Sequence, residues 1–349
     1  MNLVRLLLPA VLLISFRAEA AKIVLVAGTT GPSAVLRSPF GVEFDRDGAL
    51  YVPEMTSNTV CRIDAAGKLS RVAGTGTKGF AGDAGPAMQA QLNGPHNVAL
   101  TRDGALYIAD TWNSRVRRME IASGRIATVA GTGRTGFSGD GGPALAADFG
   151  NVYCVSLDPR SENLFLADLD NRRIRAINLK SGLVRTVAGN GEKGVPADGA
   201  LATEAPLVDP RAVAVDAVGN IYILERNGHA LRVVDGAGKI RTVAGNGRKG
   251  LSGDGGEARA ATLSGPKHLC IDGAGNVVIA DTDNHVIRKY LPREGRIVRV
   301  AGSGKKGADG LGGDALEAEL NQPHGVYVRP DGTLYICDSG NDRILRIEK

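Results

Sequence analysis

The chain has 349 residues, a formal net charge of +5 at pH 7, 43% hydrophobic but only 4% aromatic residues, and 48 glycines. No apolar run is long enough for a transmembrane helix. Four scattered cysteines argue against a disulfide-built miniprotein, and cations spread along the whole sequence argue against a concentrated nucleic-acid patch.

Residues 1–20 read as a signal peptide, with Arg5 ahead of an apolar run from Leu6 to Phe16 and Ala18-Glu19-Ala20 before the expected cut. No cysteine lies at that cut, so no lipid anchor is expected, and the mature protein is expected to be secreted or periplasmic. From residue 21 to 349 the chain repeats itself. The triplet Val-Ala-Gly starts at Val26, Val72, Val129, Val187, Val243 and Val300, and such spacing marks an array of one small unit. In the second unit, residues 97–100, 105–109, 115–121 and 125–130 read as strands, separated by Arg102-Asp103-Gly104, a turn over 110–113, and Ser123-Gly124. Four antiparallel strands repeated six times predict an all-β, six-bladed propeller in one domain, with units starting near residues 39, 95, 152, 210, 266 and 323. The sixth unit stops after its third strand, while residues 22–28 resemble a fourth strand with no first three. They are predicted to pair into the sixth blade and close the ring, removing two free strand edges. Cys61, Cys154, Cys270 and Cys337 fall in different units and read as small buried hydrophobes.

Five of the connections leading into a first strand are 21 residues long, and the one before blade 1 is only 11. Alternating strand direction puts their ends on the same face as the turns between second and third strands, so a site is expected there, at the mouth of the central channel. Each long loop carries a cation near its start: Lys78, Arg134, Lys193, Lys249 and Lys306. These cations either form a basic crown for an acidic ligand or pair with Asp83, Asp140, Asp198 and Asp254 within the loops. At the start of each innermost strand the scaffold repeats but the side chain does not. The residues are Phe40, His96, Tyr153, Arg211, Lys267 and His324, with His268 beside Lys267. Imidazoles, cations and a phenol around one axis can bind an anion, coordinate a metal or support acid–base chemistry.

The turns Asp110-Thr111-Trp112-Asn113 and Asp281-Thr282-Asp283-Asn284, with further copies at 168–175 and 338–346, resemble the NHL repeat. Blade 4 departs from that pattern with Glu225 and Gly228, and blade 1 with Glu54. The resemblance spans the mature chain and points to the secreted bacterial branch, where loops such as residues 135–144 are common. It implies a six-bladed propeller and little about chemistry, because the family includes binding modules and a few enzymes. Asp110, Asp168, Asp281 and Asp338 recur around the ring and are read as scaffold. A more distant similarity, to the peptidyl-hydroxyglycine amidating lyase propeller, implies histidine zinc ligands from alternate blades. His96 and His324 occupy two such positions, but Arg211 stands at the third, and Gly325 follows His324 where that resemblance favours Asp.

The favoured reading is a secreted, monomeric binding scaffold that takes a polar or anionic ligand, a carbohydrate or a protein, at the channel mouth. The alternative is a metal-assisted lyase or hydrolase acting at the same place. No catalytic residue is assigned, and neither a Ser-His-Asp order nor a Cys-His pairing stands out. Zinc at His96 and His324 is the candidate metal. The Gly-Asp-Gly-Gly loop pieces resemble fragments of calcium sites without a full ligand set. Nucleic acid is disfavoured as a partner.

Overall fold

A computed structural model describes residues 21–28 and 36–348; the expected signal peptide, residues 1–20, lies outside the described residues. Six antiparallel sheets follow one another around a central axis, five built on four successive strands and the sixth on the last three strands plus the N-terminal one, so the protein is a six-bladed β-propeller. In blade 2 the order from the axis outward is Pro95–Leu100, Ala105–Asp110, Arg115–Glu120 and Arg125–Ala130. The innermost strands of neighbouring blades, such as Val152–Leu157 and Pro210–Val215, pack on one another around the channel. Between blades the core is aliphatic; Ala109, Val116, Val152 and Leu166 form one such layer. Small side chains between the blades let six wedges approach closely.

The ring closes as expected. Lys22–Gly28 pairs antiparallel with Arg343–Glu348, placing Ile23 opposite Ile347 and Leu25 opposite Leu345. Ile23 is fully buried against a cluster containing Ile336 and Leu345. Two strand edges that would otherwise face solvent satisfy each other.

The repeated Val-Ala-Gly has a backbone cause. In every blade the outermost main strand carries a register break at the valine, as between Thr128 and Ala130 in blade 2. That β-bulge bends the strand away from its partner, and the following glycine turns the chain with positive φ. Gly131 has φ 96°, and a Cβ there would overlap the carbonyl oxygen of Ser114. Only glycine fits.

The long loops travel further than their sequence suggests. They leave the face bearing the turns but then run down the outer edge of the next blade. Gly85–Pro86 pairs with Arg125 and Ile126 at the far end of the outermost strand, and Ala200–Leu201 does the same with Ile240 and Lys239. The loops therefore cover blade edges as well as framing one face. In blades 2, 3 and 5 a buried arginine from the third strand fastens the long loop. Arg117, Arg175 and Arg288, all fully buried, hold Asp83, Asp140 and Asp254 at 2.7, 2.6 and 2.8 Å. Blade 1, which has the short loop, carries Cys61 at the corresponding position. All four cysteines are free thiols; three are buried and Cys270 is half-buried.

Candidate functional site

The turns that rim the upper face are rigid. Asp110 accepts the Asn93 amide N–H at 2.7 Å and the Asn113 side-chain amide at 2.8 Å, and Asn113 also donates to the Gly79 carbonyl. Asp168, Asp281 and Asp338 repeat this pattern, and Glu54 and Glu225 fill the same place in the two divergent blades. These carboxylates are spoken for by loop amides and buried arginines, in line with their reading as scaffold. The Asp residues of the Gly-Asp-Gly-Gly pieces are likewise tied to Arg175 and Arg288, which leaves them poor calcium ligands. They also do not pair with the loop lysines. Lys78, Lys193, Lys249 and Lys306 are exposed on the outer rim. Arg134 does stay within its own loop, at 3.2 Å from Asp148.

At the channel mouth the six unlike side chains come together. His324 packs on Phe40 with ring centroids 4.0 Å apart, Phe40 meets His96 at 5.0 Å, and His96 meets Tyr153 at 4.7 Å. The Arg211 guanidinium lies over the Tyr153 ring at 4.0 Å, a cation–π contact. Lys267 completes the ring from blade 5. In blades 2, 3 and 4 the pairing of first and second strands breaks register at His96-Asn97, Tyr153 and Arg211. Such bulges re-aim a side chain out of the sheet, here toward the axis.

The electrostatics divide this ring in two. His96 Nδ1 is 2.7 Å from the Gly94 carbonyl and His324 Nδ1 is 2.9 Å from the Gln322 carbonyl. A carbonyl only accepts, so both histidines carry their proton on Nδ1 and keep a lone pair on Nε2. Burial, then Arg211 and Lys267, push the His96 pKa down to about 3, opposed by the Gly94 hydrogen bond. Burial, Lys267 and Arg211 likewise hold His324 well below its ordinary value. Both imidazoles are neutral acceptors. The other half is cationic. Arg211 is only 5% exposed, its Nε is buried with no hydrogen-bond partner, and among the described residues no carboxylate forms an ion pair with it. Lys267 has its nearest carboxylate, Asp283, at 4.0 Å. Burial lowers its pKa to about 8, opposed by Asp283 and reinforced by Arg211 and Arg226.

Below the mouth the channel is bridged. Asn97 of blade 2 donates from Nδ2 to His268 Nε2 of blade 5 at 3.0 Å, while its Oδ1 accepts the Val155 N–H at 2.9 Å. The Val326 N–H also points at His268 Nδ1, at 3.3 Å; a neutral imidazole has a single acceptor nitrogen, so it accepts from one of these two donors at a time. Burial, then Arg211, push the His268 pKa down to about 4, opposed by the Val326 contact. His268 thus belongs to the floor of the mouth rather than to its ring. On the opposite face a cleft of about 750 Å³ lies between the hairpins of blades 6, 1 and 2. Of its charged groups, Asp45 accepts the Asp47 and Ala49 N–H groups and Arg329 pairs with Asp331, while burial pushes the pKa of Glu43 up to about 8. The mouth differs in bringing two cations and two neutral imidazoles together.

Comparison with known proteins agrees with this architecture. Residues 92–119 and 320–347 match the NHL repeat family, and residues 143–252 match the Teneurin NHL domain. The chain carries NHL repeats. Protein SUPPRESSOR OF QUENCHING 1, chloroplastic, from Arabidopsis thaliana is 27% identical over 80% of this chain and 27% of its own length. Teneurin-3 from Danio rerio is 27% identical over 89% of this chain and 12% of its own. The NHL-repeat propeller thus spans about a quarter or less of these relatives. An auxiliary nutrient binding protein from Bacteroides ovatus shares the fold with a TM-score of 0.66 and 16% identity, covering 95% of this chain and 77% of that one.

Within the NHL-repeat propeller the two candidate metal ligands are His96 and His324. A zinc site of the usual kind needs a third protein ligand, and no group of three His, Cys, Asp or Glu converges among the described residues. In place of a third histidine, blade 4 offers the Arg211 cation, which repels a metal ion. Two residues at the mouth were missed in the sequence. Asn97 is the one amide inside an innermost strand, where Gly41, Cys154, Ala212, His268 and Gly325 stand in the others. Trp112, 42% exposed, packs edge-on to His96 at 5.3 Å and forms part of the rim.

Proposed function

We propose that this NHL-repeat propeller is a binding scaffold that receives an anionic ligand at the channel mouth, with Arg211 and Lys267 meeting its charge. Arg211 carries the reading. A buried guanidinium without a carboxylate partner raises the free energy of the fold, and an incoming anion offsets that cost. The exposed lysines on the rim add a positive field that speeds capture of anions. The nutrient-binding neighbour from Bacteroides ovatus is consistent with a ligand-carrying propeller. The same proposal takes residues 1–20 as an export signal and residues 21–349 as one propeller unit secreted or delivered to a periplasm; N-terminal sequencing of the mature protein checks that part.

Trp112 is the single tryptophan of the chain and stands at the mouth, so its fluorescence reports on ligand there. Titration with small carboxylates is expected to change that fluorescence in the wild type. The change is expected to vanish in the double variant Arg211→Ala, Lys267→Ala while thermal melting stays close to wild type. Undiminished binding by the double variant would place the site elsewhere.

A further inference from the structure

We propose that the anion is the carboxylate of a sugar acid, held with its carboxylate at Arg211 and Lys267 and its hydroxyls at the Nε2 atoms of His96 and His324. This inference rests on the reading that the mouth binds an anion. It comes from how the ring is divided. Contacts run in series from His324 through Phe40, His96 and Tyr153 to Arg211, so the two imidazoles flank Phe40 on blades 6 and 2 while the cations come from blades 4 and 5.

A ligand for this ring needs acceptors at one end and donors at the other. Phosphate and sulfate present oxygen acceptors on all sides and would set some of them against the two imidazole lone pairs, which have no proton to give. A free amino acid brings an ammonium group into the field of Arg211 and Lys267, where it is repelled. A sugar acid meets both halves. Its carboxylate accepts charge-assisted hydrogen bonds from a guanidinium and an ammonium, and its hydroxyls donate to Nε2. The Trp112 ring, 42% exposed at the rim, offers an apolar face for the C–H side of a pyranose. The bridge from Asn97 to His268 floors the site and limits it to a compact ligand entering from the loop face.

Isothermal titration calorimetry on the intact propeller tests this with D-glucuronate, D-galacturonate, D-glucose, acetate, inorganic sulfate and an N-acetylated dipeptide. At least one uronate is expected to bind roughly tenfold or more tighter than glucose, acetate and sulfate. Arg211→Met is expected to reduce the uronate to the level of glucose. His324→Phe is expected to weaken the uronate by about tenfold and leave acetate unchanged, because it removes one hydroxyl acceptor only. If His324→Phe does not fold, His96→Phe makes the same test from the other side of Phe40. Acetate or sulfate binding as tightly as the uronates, or the blocked dipeptide binding more tightly, overturns the sugar-acid assignment and leaves anion binding standing. Failure of every anion to bind overturns both.

Discussion

Asn97 on blade 2 and His268 on blade 5 meet across the channel axis, Nδ2 to Nε2 at 3.0 Å. The Val155 amide fixes the orientation of the Asn97 side chain, because its N–H needs the Oδ1 acceptor. One amide thus ties together blades 2, 3 and 5 across the channel. Asn97→Ala removes both contacts and leaves the Val155 N–H unpaired. A loss of about 1–3 kcal/mol in unfolding free energy is expected from urea denaturation. An unchanged midpoint would mean that the bridge does not hold the blades.

The loop anchors separate buried from exposed pairing. Arg175 is fully buried and reaches Asp140, the Ser138 and Asp148 carbonyls, and Asp168 at 4.0 Å. Arg175→Met leaves two carboxylates without their cation, and roughly 3–5 kcal/mol of stability should be lost. Arg134, whose side chain is 77% exposed, also pairs with a loop aspartate, Asp148. Arg134→Ala should cost no more than about 1 kcal/mol. Equal losses in the two variants, measured by denaturant unfolding, would contradict this account of the loops.

Closure by the N-terminal strand makes a strong demand on the fold. Removing residues 22–28 strips Arg343–Glu348 of its partner and exposes the cluster around Ile23. The shortened protein is expected to melt at least about 10 °C lower or to lose cooperative unfolding. Calorimetry that finds the same transition as in the full chain would refute closure as a source of stability.

Anion affinity should depend on pH through Lys267. Its ammonium is charged below its lowered pKa of about 8 and neutral above it, so affinity for a carboxylate should fall as the pH rises through that value. Asp283 holds the proton on, Arg211, lowered by burial to about 10, titrates above this range, and His96 and His324 stay neutral. Binding measured between about pH 7 and 9 should weaken several-fold, and Lys267→Met should flatten the profile. A flat wild-type profile would remove Lys267 from the site.

The propeller was legible because its repeated signals are backbone requirements. Val-Ala-Gly marks a bulge and a positive φ, and Asp-Gly pairs mark hairpin turns; each depends only on nearby residues. The mouth residues were legible for the opposite reason, since Phe40, His96, Tyr153, Arg211, Lys267 and His324 vary directly after a position that is proline in five of the six blades. Asn97 was not, because its role depends on His268, 171 positions away. The route of the long loops down the blade edge was hidden too, since Gly85–Pro86 reads locally as a turn. The buried anchors had a signal that went unread. Arg117, Arg175 and Arg288 each follow the turn acid of their blade by seven residues.

Anomalous diffraction from crystals soaked in bromide tests the claim at the centre of this account, that Arg211 is a buried cation awaiting an anion. A bromide peak beside the Arg211 guanidinium and within reach of Lys267 Nζ is the expected result. Bromide confined to the rim lysines, with none at the mouth, would contradict it.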